Sequence, residues 1–253
     1  MNDTKIFNRT EKKYLITAAE KRKLLKIINS NMAHDDYYES GVYNIYFDTD
    51  NYDLIIQSID HPIFKEKLRA RSYEGYDKVF FEIKTKILGL AYRNDTLEND
   101  DLAKDENHGY KRRVLITHQD YDDYVHGRAN MVELASRRIE TGDDLQIARE
   151  VDYFVTQMNL KPKILVYYDR ESYKGENGLR ITFDHNLSYR TKNLKFVKKS
   201  TDQTFFSGPK NIIMEIKASG AMPLWLVKAL SAAHIYPQRF SKIGNIYERI
   251  QNV

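Results

Sequence analysis

Charge that repeats on one parity of successive strands constrains this chain more than any other feature. In Phe64-Lys-Glu-Lys-Leu-Arg-Ala-Arg, one parity carries Lys65, Lys67, Arg69 and Arg71, and the other carries Phe64, Glu66, Leu68 and Ala70. Strand side chains alternate between faces, so the four cations share a face. The pattern recurs with Glu82, Lys84 and Lys86 against Phe81, Ile83 and Thr85, and with Arg9, Glu11 and Lys13 against Tyr14 and Ile16. It recurs again at Lys111 and Arg113, at Arg180 between Leu179 and Ile181, and at Glu215 and Lys217 against Met214 and Ile216. One such strand describes a sheet with a wet face. Repetition describes a sheet whose apolar face is covered by helices and which, curled into a barrel, lines its interior with cations. Like charges in a low-dielectric bore repel strongly, so a tunnel of this kind is built to hold an anion. Arginine forks match phosphate oxygens, and lysines act as point charges. A few Glu among many cations suggest a hard divalent metal, Mn²⁺ or Mg²⁺, with the cations on phosphate.

Period-two alternation and β-branched or aromatic runs predict strands at Val42–Phe47, Phe64–Tyr73, Lys78–Lys86, Lys163–Tyr173, Gly178–Phe183 and Asn211–Lys217. Helices are fewer. Thr17 and Glu20 form a capping-box pair opening a helix toward Ile28, apolar spacing predicts a helix over Asp144–Met158, and Pro223 opens a last helix. The expected fold is mainly β (α+β), an antiparallel tunnel with helices packed outside, as a single domain over 1–253. An acidic insertion is expected at about 91–109, where six acids between Asp95 and Glu106 face Arg93 and Lys104. The opposite bias, five cations and no acid from Arg190 to Lys199, reads either as a solvated loop or as an anion-collecting lip. The 253 residues contain no cysteine, which excludes a disulfide partner, a thiolate zinc site and a cysteine nucleophile. With no apolar leader and no stretch long enough to span a membrane, a soluble cytoplasmic protein is expected.

The motifs Arg9-x-Glu11-x-Lys13-Tyr14, Lys67-Leu-Arg-Ala-Arg71, Phe81-Glu-Ile-Lys84, Lys111-Arg-Arg113, Tyr168-Asp-Arg-Glu171, Leu179-Arg-Ile-Thr-Phe-Asp184, Met214-Glu-Ile-Lys217 and Phe240-Ser-Lys242 occur in this order. Together they resemble the polyphosphate polymerase domain of the vacuolar transporter chaperone (VTC) family, within the CYTH-like triphosphate tunnel metalloenzymes. The resemblance covers nearly the whole chain and looks like a stand-alone bacterial-type relative. It implies an eight-stranded antiparallel β-barrel that moves the γ-phosphoryl of ATP, with Mn²⁺ or Mg²⁺, onto inorganic polyphosphate. Lys13, Arg69, Arg71, Lys84, Arg170 and Arg180 match the family's phosphate-binding cations, and either Lys111 or Arg113 supplies another. Lys67 and Lys217 share the cationic parity. Glu215 matches the carboxylate associated with the metal, and Ser241 and Lys242 match a late phosphate-binding pair. Arg170 has the opposite parity from Tyr167 and Asp169, so its role depends on which side of its strand faces the bore. Two departures stand out: Ile243 replaces a family Tyr after Ser-Lys, and Arg9 occupies the first Glu position of the triphosphate hydrolases' Glu-x-Glu-x-Lys.

The leading expectation is a metal-dependent phosphotransferase, since phosphoryl transfer asks chiefly for positioning and charge stabilisation. The alternatives are a tunnel hydrolase of triphosphates or nucleotides and a non-catalytic polyphosphate-binding module that could serve a membrane-embedded partner. Nucleic acid is not expected, because net charge is only +4 and no stacking-aromatic motif is present. No P-loop or dinucleotide-binding glycine pattern occurs, and the histidines show no paired metal spacing.

Overall fold

The computed structural model describes residues 10–60, 63–87, 108–138, 142–198, 200–206, 208 and 210–252. The described elements are β1 (Thr10–Ile16), α1 (Ala18–Asn31), β2 (Ala33–Asp48), α2 (Asp53–Ile59), β3 (Phe64–Tyr73), β4 (Val79–Ile87), β5 (His108–Ile116), α3 (His118–Val125), α4 (Met131–Ser136), α5 (Gly142–Met158), β6 (Lys161–Lys174), β7 (Arg180–Arg190), β8 (Thr204–Phe205), β9 (Ile212–Ala218), α6 (Leu224–Ala232) and α7 (Lys242–Gln251). The strand order is β1-β9-β7-β6-β2-β3-β4-β5, with β8 on β7. Among the described residues this path is open, ending at β1 and β5. The structure is therefore a mainly antiparallel sheet with seven helices among the described residues, as expected, without the expected barrel closure. The acidic stretch at 91–109 lies outside the described residues except for His108 and Gly109, which belong to β5.

The described residues form two compact units, one within 44–164 and the other within 10–43 and 165–252. In the second unit, the apolar parities of the strands meet the helices. Tyr14 and Ile16 of β1, Ile181 and Phe183 of β7, and Met214 and Ile216 of β9 form one core with Leu24 and Ile28 of α1 and Leu226, Ala229 and Leu230 of α6. Helix α1 begins where its sequence says it should: Glu20 N donates to Thr17 Oγ1 at 3.1 Å, and Thr17 N donates to Glu20 Oε2 at 2.7 Å. Such a cap contributes about 1 kcal/mol.

In the first unit, Leu68, Ala70, Phe81, Ile83, Val114 and Ile116 are buried on one face of β3–β5. Phe81 packs on Phe47 at 5.3 Å, Tyr124 at 5.2 Å and Tyr121 at 6.0 Å between ring centres. Helices α4 and α5 add Met131, Leu134, Ala148 and Val151, all buried.

Several boundaries differ from expectation. Strand β2 starts nine residues before Val42, because its polar first half still pairs as a strand with exposed residues. Strand β7 starts at Arg180 rather than Gly178. Asn177 and Gly178 take left-handed φ values of 52° and 71°, and a Cβ on Gly178 would meet Ser219 Oγ at 2.7 Å. Pro223 is the N-cap of α6 rather than its first helical residue, and α6 is not last, since Ser241 caps α7 beyond it. No helix among the described residues is long and apolar enough to cross a membrane.

Candidate functional site

Antiparallel register decides which charges share a face, because directly opposite residues project to the same side. In the first unit, Lys67 lies opposite Lys84, which lies opposite Lys111; the next rung is Arg69, Glu82 and Arg113. The third is Arg71, Phe80 and Leu115. Like charges directly opposite one another repel, and Glu82 on the next rung offsets part of that charge through Lys111. Glu82, 2% exposed, accepts from Arg69 Nη2 at 2.6 Å and Nε at 2.7 Å, and from Lys111 Nζ at 2.5 Å. Arg71 stands 3.8 Å from the same carboxylate and donates to Asn44 Oδ1 at 2.9 Å. Burial alone would raise the Glu82 pKa, but Arg69, Arg71 and Lys111 outweigh it and hold the carboxyl well below its ordinary range. Burial also lowers the Lys111 pKa, with Glu82 opposing. One carboxylate thus serves three cations, an excess of two positive charges in this group.

In the second unit, the rungs read Glu11, Lys217, Arg180; then Lys13, Glu215, Thr182, Ser172; then Leu15, Ile213, Asp184, Arg170. The polar face of this sheet therefore lies opposite the core shared with α1 and α6. Asp184, with no exposed surface, accepts from Arg170 Nε at 2.6 Å on one oxygen and from Arg170 Nη2 at 2.8 Å on the other. Lys242 Nζ, from the first residue of α7, reaches the second oxygen at 2.6 Å. The Tyr168 ring lies 5.1 Å from the Arg170 guanidinium and 4.7 Å from Lys242 Nζ. Burial would raise the Asp184 pKa; Lys242 and Arg170 bring it down to about 2. Burial likewise disfavours the Lys242 charge, yet Asp184 raises its pKa above the ordinary value.

Glu215, 8% exposed, pairs with Lys217 at 2.5 Å. Its pKa too is depressed: burial opposes, and Lys217 and Lys13 win. Lys217 lies 3.9 Å from Glu11, and Lys13 lies 3.4 Å from Glu11 while donating to the Phe240 carbonyl at 3.3 Å. Glu215 and Glu11 offer oxygen ligands, and the buried Thr182 hydroxyl on the Glu215 rung has no hydrogen-bond partner among the described residues. This donor set suits a hard divalent cation. No group of three or more His, Asp or Glu able to hold a metal occurs among the described residues, so the remaining ligands would be phosphate oxygens and water, as magnesium-like ions prefer.

A family model described as the VTC domain matches residues 8–250. The chain belongs to the VTC domain family. No curated protein matches it. Among solved structures it is similar to a putative adenylyl cyclase from Hippeastrum said to reveal a dominant triphosphatase activity, at 15% identity over 92% of this chain and 91% of that one, with a TM-score of 0.48. A putative adenylate cyclase from Bacillus halodurans matches at 14% identity over 91% and 92% of the two chains, TM-score 0.47. A protein from Pyrococcus horikoshii matches at 13% over 95% and 99%, TM-score 0.44.

Within this VTC domain, the residues singled out from sequence fall into two groups. Lys67, Arg69, Arg71, Lys84, Lys111 and Arg113 share one face of β3–β5. Lys111 holds Glu82, while Arg113 lies 5.1 Å over the Phe80 ring. Lys13, Arg170, Glu215 and Lys217 share the polar face of the second unit, which settles the side taken by Arg170. Arg180 is on that face at its margin, 49% exposed and bridged to Asp35 at 2.9 Å. Ser241 accepts the Gly244 N–H at 3.2 Å as the cap of α7, and Ile243 behind it is buried.

The Arg190–Lys199 lip is corrected in part. Arg190 is buried, donating to the carbonyls of Asn193 at 2.9 Å and Val197 at 3.1 Å and to that of Lys195, and Lys198 pairs with Asp169 at 3.2 Å. A guanidinium that saturates carbonyls inside the protein collects no ligand.

Asp184, Glu82, Glu11 and Tyr168 are not among the site residues expected from the sequence. The parity of Glu82 and Glu11 pointed to them, and Asp184 has the parity of Arg180. Tyr168 has the parity of Arg170 but no charge to mark it, and the register shift beside it places its extra residue on β7.

Proposed function

We propose that this VTC domain is a metal-dependent phosphotransferase that moves the γ-phosphate of ATP onto a growing inorganic polyphosphate chain. Family membership supports a polyphosphate- or triphosphate-handling enzyme. The observation that carries the finer reading is the excess of fixed cations around each buried carboxylate: three around Glu82, and Arg170 with Lys242 around Asp184. Carboxylates held ionised by surplus cations leave positive charge for phosphate, already oriented, with little reorganisation needed during transfer.

In this reading Lys13, Arg69, Arg71, Lys84 and Glu215 act on the transferring group. Lys67, Lys111, Arg113, Arg170, Arg180, Lys217, Ser241 and Lys242 hold donor and acceptor phosphates. The sheet's closure into an eight-stranded tunnel belongs to the same proposal. A terminal polyphosphate oxygen attacks the γ-phosphorus of ATP, the bond to the β,γ-bridging oxygen breaks, and ADP leaves with that electron pair. The cations neutralise charge on both partners and bring two polyanions within reach of each other. Mn²⁺ or Mg²⁺, held by Glu215 with Glu11 nearby, would supply further neutralisation of phosphate charge.

The test is incubation of purified protein with ATP and Mn²⁺, followed by gel electrophoresis and phosphorus NMR. Internal polyphosphate resonances with ADP are expected. Free phosphate without polymer would make the protein a hydrolase, and tight polyphosphate binding without turnover at any metal would make it a binding module.

A further inference from the structure

Asp184 is the most deeply buried carboxylate of the second unit, and none of its hydrogen bonds is spent on the fold's backbone among the contacts described. Both of its oxygens go to cations that are far apart in sequence, Arg170 on β6 and Lys242 on α7. The Arg170 contact is a two-point fork, which fixes the plane of the guanidinium as well as its position. The Tyr168 ring then lies near both cations, limiting where either can swing.

From this geometry we infer that Asp184 is a positioning residue of the phosphate site, one that sets Arg170 and Lys242 as a fixed pair for a single phosphate group. Asp184 itself would repel that ligand, and it contributes only through the two cations it orients. An opposite role is conceivable for such a carboxylate: simple charge balance, in which it merely makes two buried cations tolerable. The two roles predict opposite signs. Under charge balance, neutralising Asp184 adds net positive charge and tightens anion binding. Under positioning, the same change frees Lys242, leaves Arg170 with a weaker acceptor, and loosens binding despite the gained charge.

The inference rests on the phosphate-handling reading above, so the experiment separates their failures. Inorganic tripolyphosphate is titrated calorimetrically into the intact protein, into Asp184→Asn and into Lys242→Gln, with circular dichroism confirming each fold. Wild-type binding with about tenfold weaker binding by Asp184→Asn is expected, the loss of roughly one charge-assisted contact. The Asp184→Asn and Lys242→Gln losses should be strongly non-additive in the double variant, because both break the same pair. Equal or tighter binding by Asp184→Asn, or additive losses, overturns the positioning role and leaves the functional reading intact. Failure of the wild type to bind tripolyphosphate overturns both.

Should Asp184→Asn fail to fold, Arg170→Lys replaces it. Lysine keeps the charge and cannot make the two-point fork. Positioning then expects a similar tenfold loss, and wild-type affinity overturns it.

Discussion

Replacing Glu82 with Gln removes one negative charge from beneath three cations while nearly preserving shape. Breaking a buried ionic cluster from one side costs about 3 to 5 kcal/mol, because the remaining charges are left uncompensated. Glu82 is 2% exposed, whereas the side chains of Arg71, Arg69 and Lys111 are 12%, 19% and 37% exposed and can recover part of their hydration. The lower end, about 3 kcal/mol, is therefore expected at pH 7. With a urea slope of about 2 to 3 kcal/mol/M for a chain of this size, the unfolding midpoint should fall by about 1 M. The pH dependence gives a second reading. The folded-state pKa of Glu82 lies below its ordinary 4.5, so its contribution is present above that value and lost as pH falls through the folded pKa. The stability gap between wild type and Glu82→Gln should accordingly be flat above about pH 5 and narrow progressively in stronger acid. A gap under about 1 kcal/mol at pH 7, or one that stays constant down to pH 3, would refute the cluster's assigned electrostatics.

Arg69→Ala should weaken tripolyphosphate binding by about 1.5 to 3 kcal/mol, whereas Glu66→Ala, on the opposite face where Glu66 accepts from Thr85 Oγ1 at 2.9 Å, should cost stability and spare binding; calorimetry on both decides, and equal losses sink the facial assignment. Glu215→Gln should abolish most metal-dependent turnover while nucleotide binding persists, and near-normal turnover at ordinary Mn²⁺ would remove Glu215 from the metal site. Thr182→Val discards a buried hydroxyl that has no partner among the described residues, so the unfolding free energy should rise by about 1 kcal/mol; a fall would mean that the hydroxyl is satisfied in solution. Arg190→Met strips the donors from the carbonyls of Asn193, Lys195 and Val197, and limited trypsin digestion should then cut after Lys192 or Lys195 much faster than in wild type. Unchanged cleavage would show that the segment holds itself together without the guanidinium.

What could be read from the chain was whatever period two encodes. The faces of β3, β4 and β9 follow from alternation alone, and Thr17 with Glu20 announced α1, since both signals are local. Local signals also mislead. Arg190 looks like one more cation in a basic run, and only the returning carbonyls of Asn193 to Val197 show that it is an internal clasp. Helix α7 is hidden in the sequence because its cap Ser241 and first residue Lys242 read as a phosphate motif, and Gly244 weakens its helical pattern. The Asp184 cluster was invisible for a different reason: Lys242 lies 58 residues away, and no periodicity connects a strand residue to the first turn of a distant helix. The bulge opposite Tyr168 adds a residue to β7, where Asn186 takes a φ of 52°, without leaving any mark in the composition.

Lys67, Lys84 and Lys111, facing one another across three strands, couple the protein's stability to any anion that binds among them. An anion that sits among facing like charges stabilises the folded state, whereas the unfolded chain gains far less from it. At a hundred times its dissociation constant, such a ligand adds about 2.7 kcal/mol to the folded state. Melting temperature should thus climb with inorganic tripolyphosphate and differ between phosphate and Tris buffers at matched pH and ionic strength. Under the proposed function, the amount of intact protein in a cell would track the supply of polyphosphate, and a destabilising substitution elsewhere would show its effect chiefly when that supply is low.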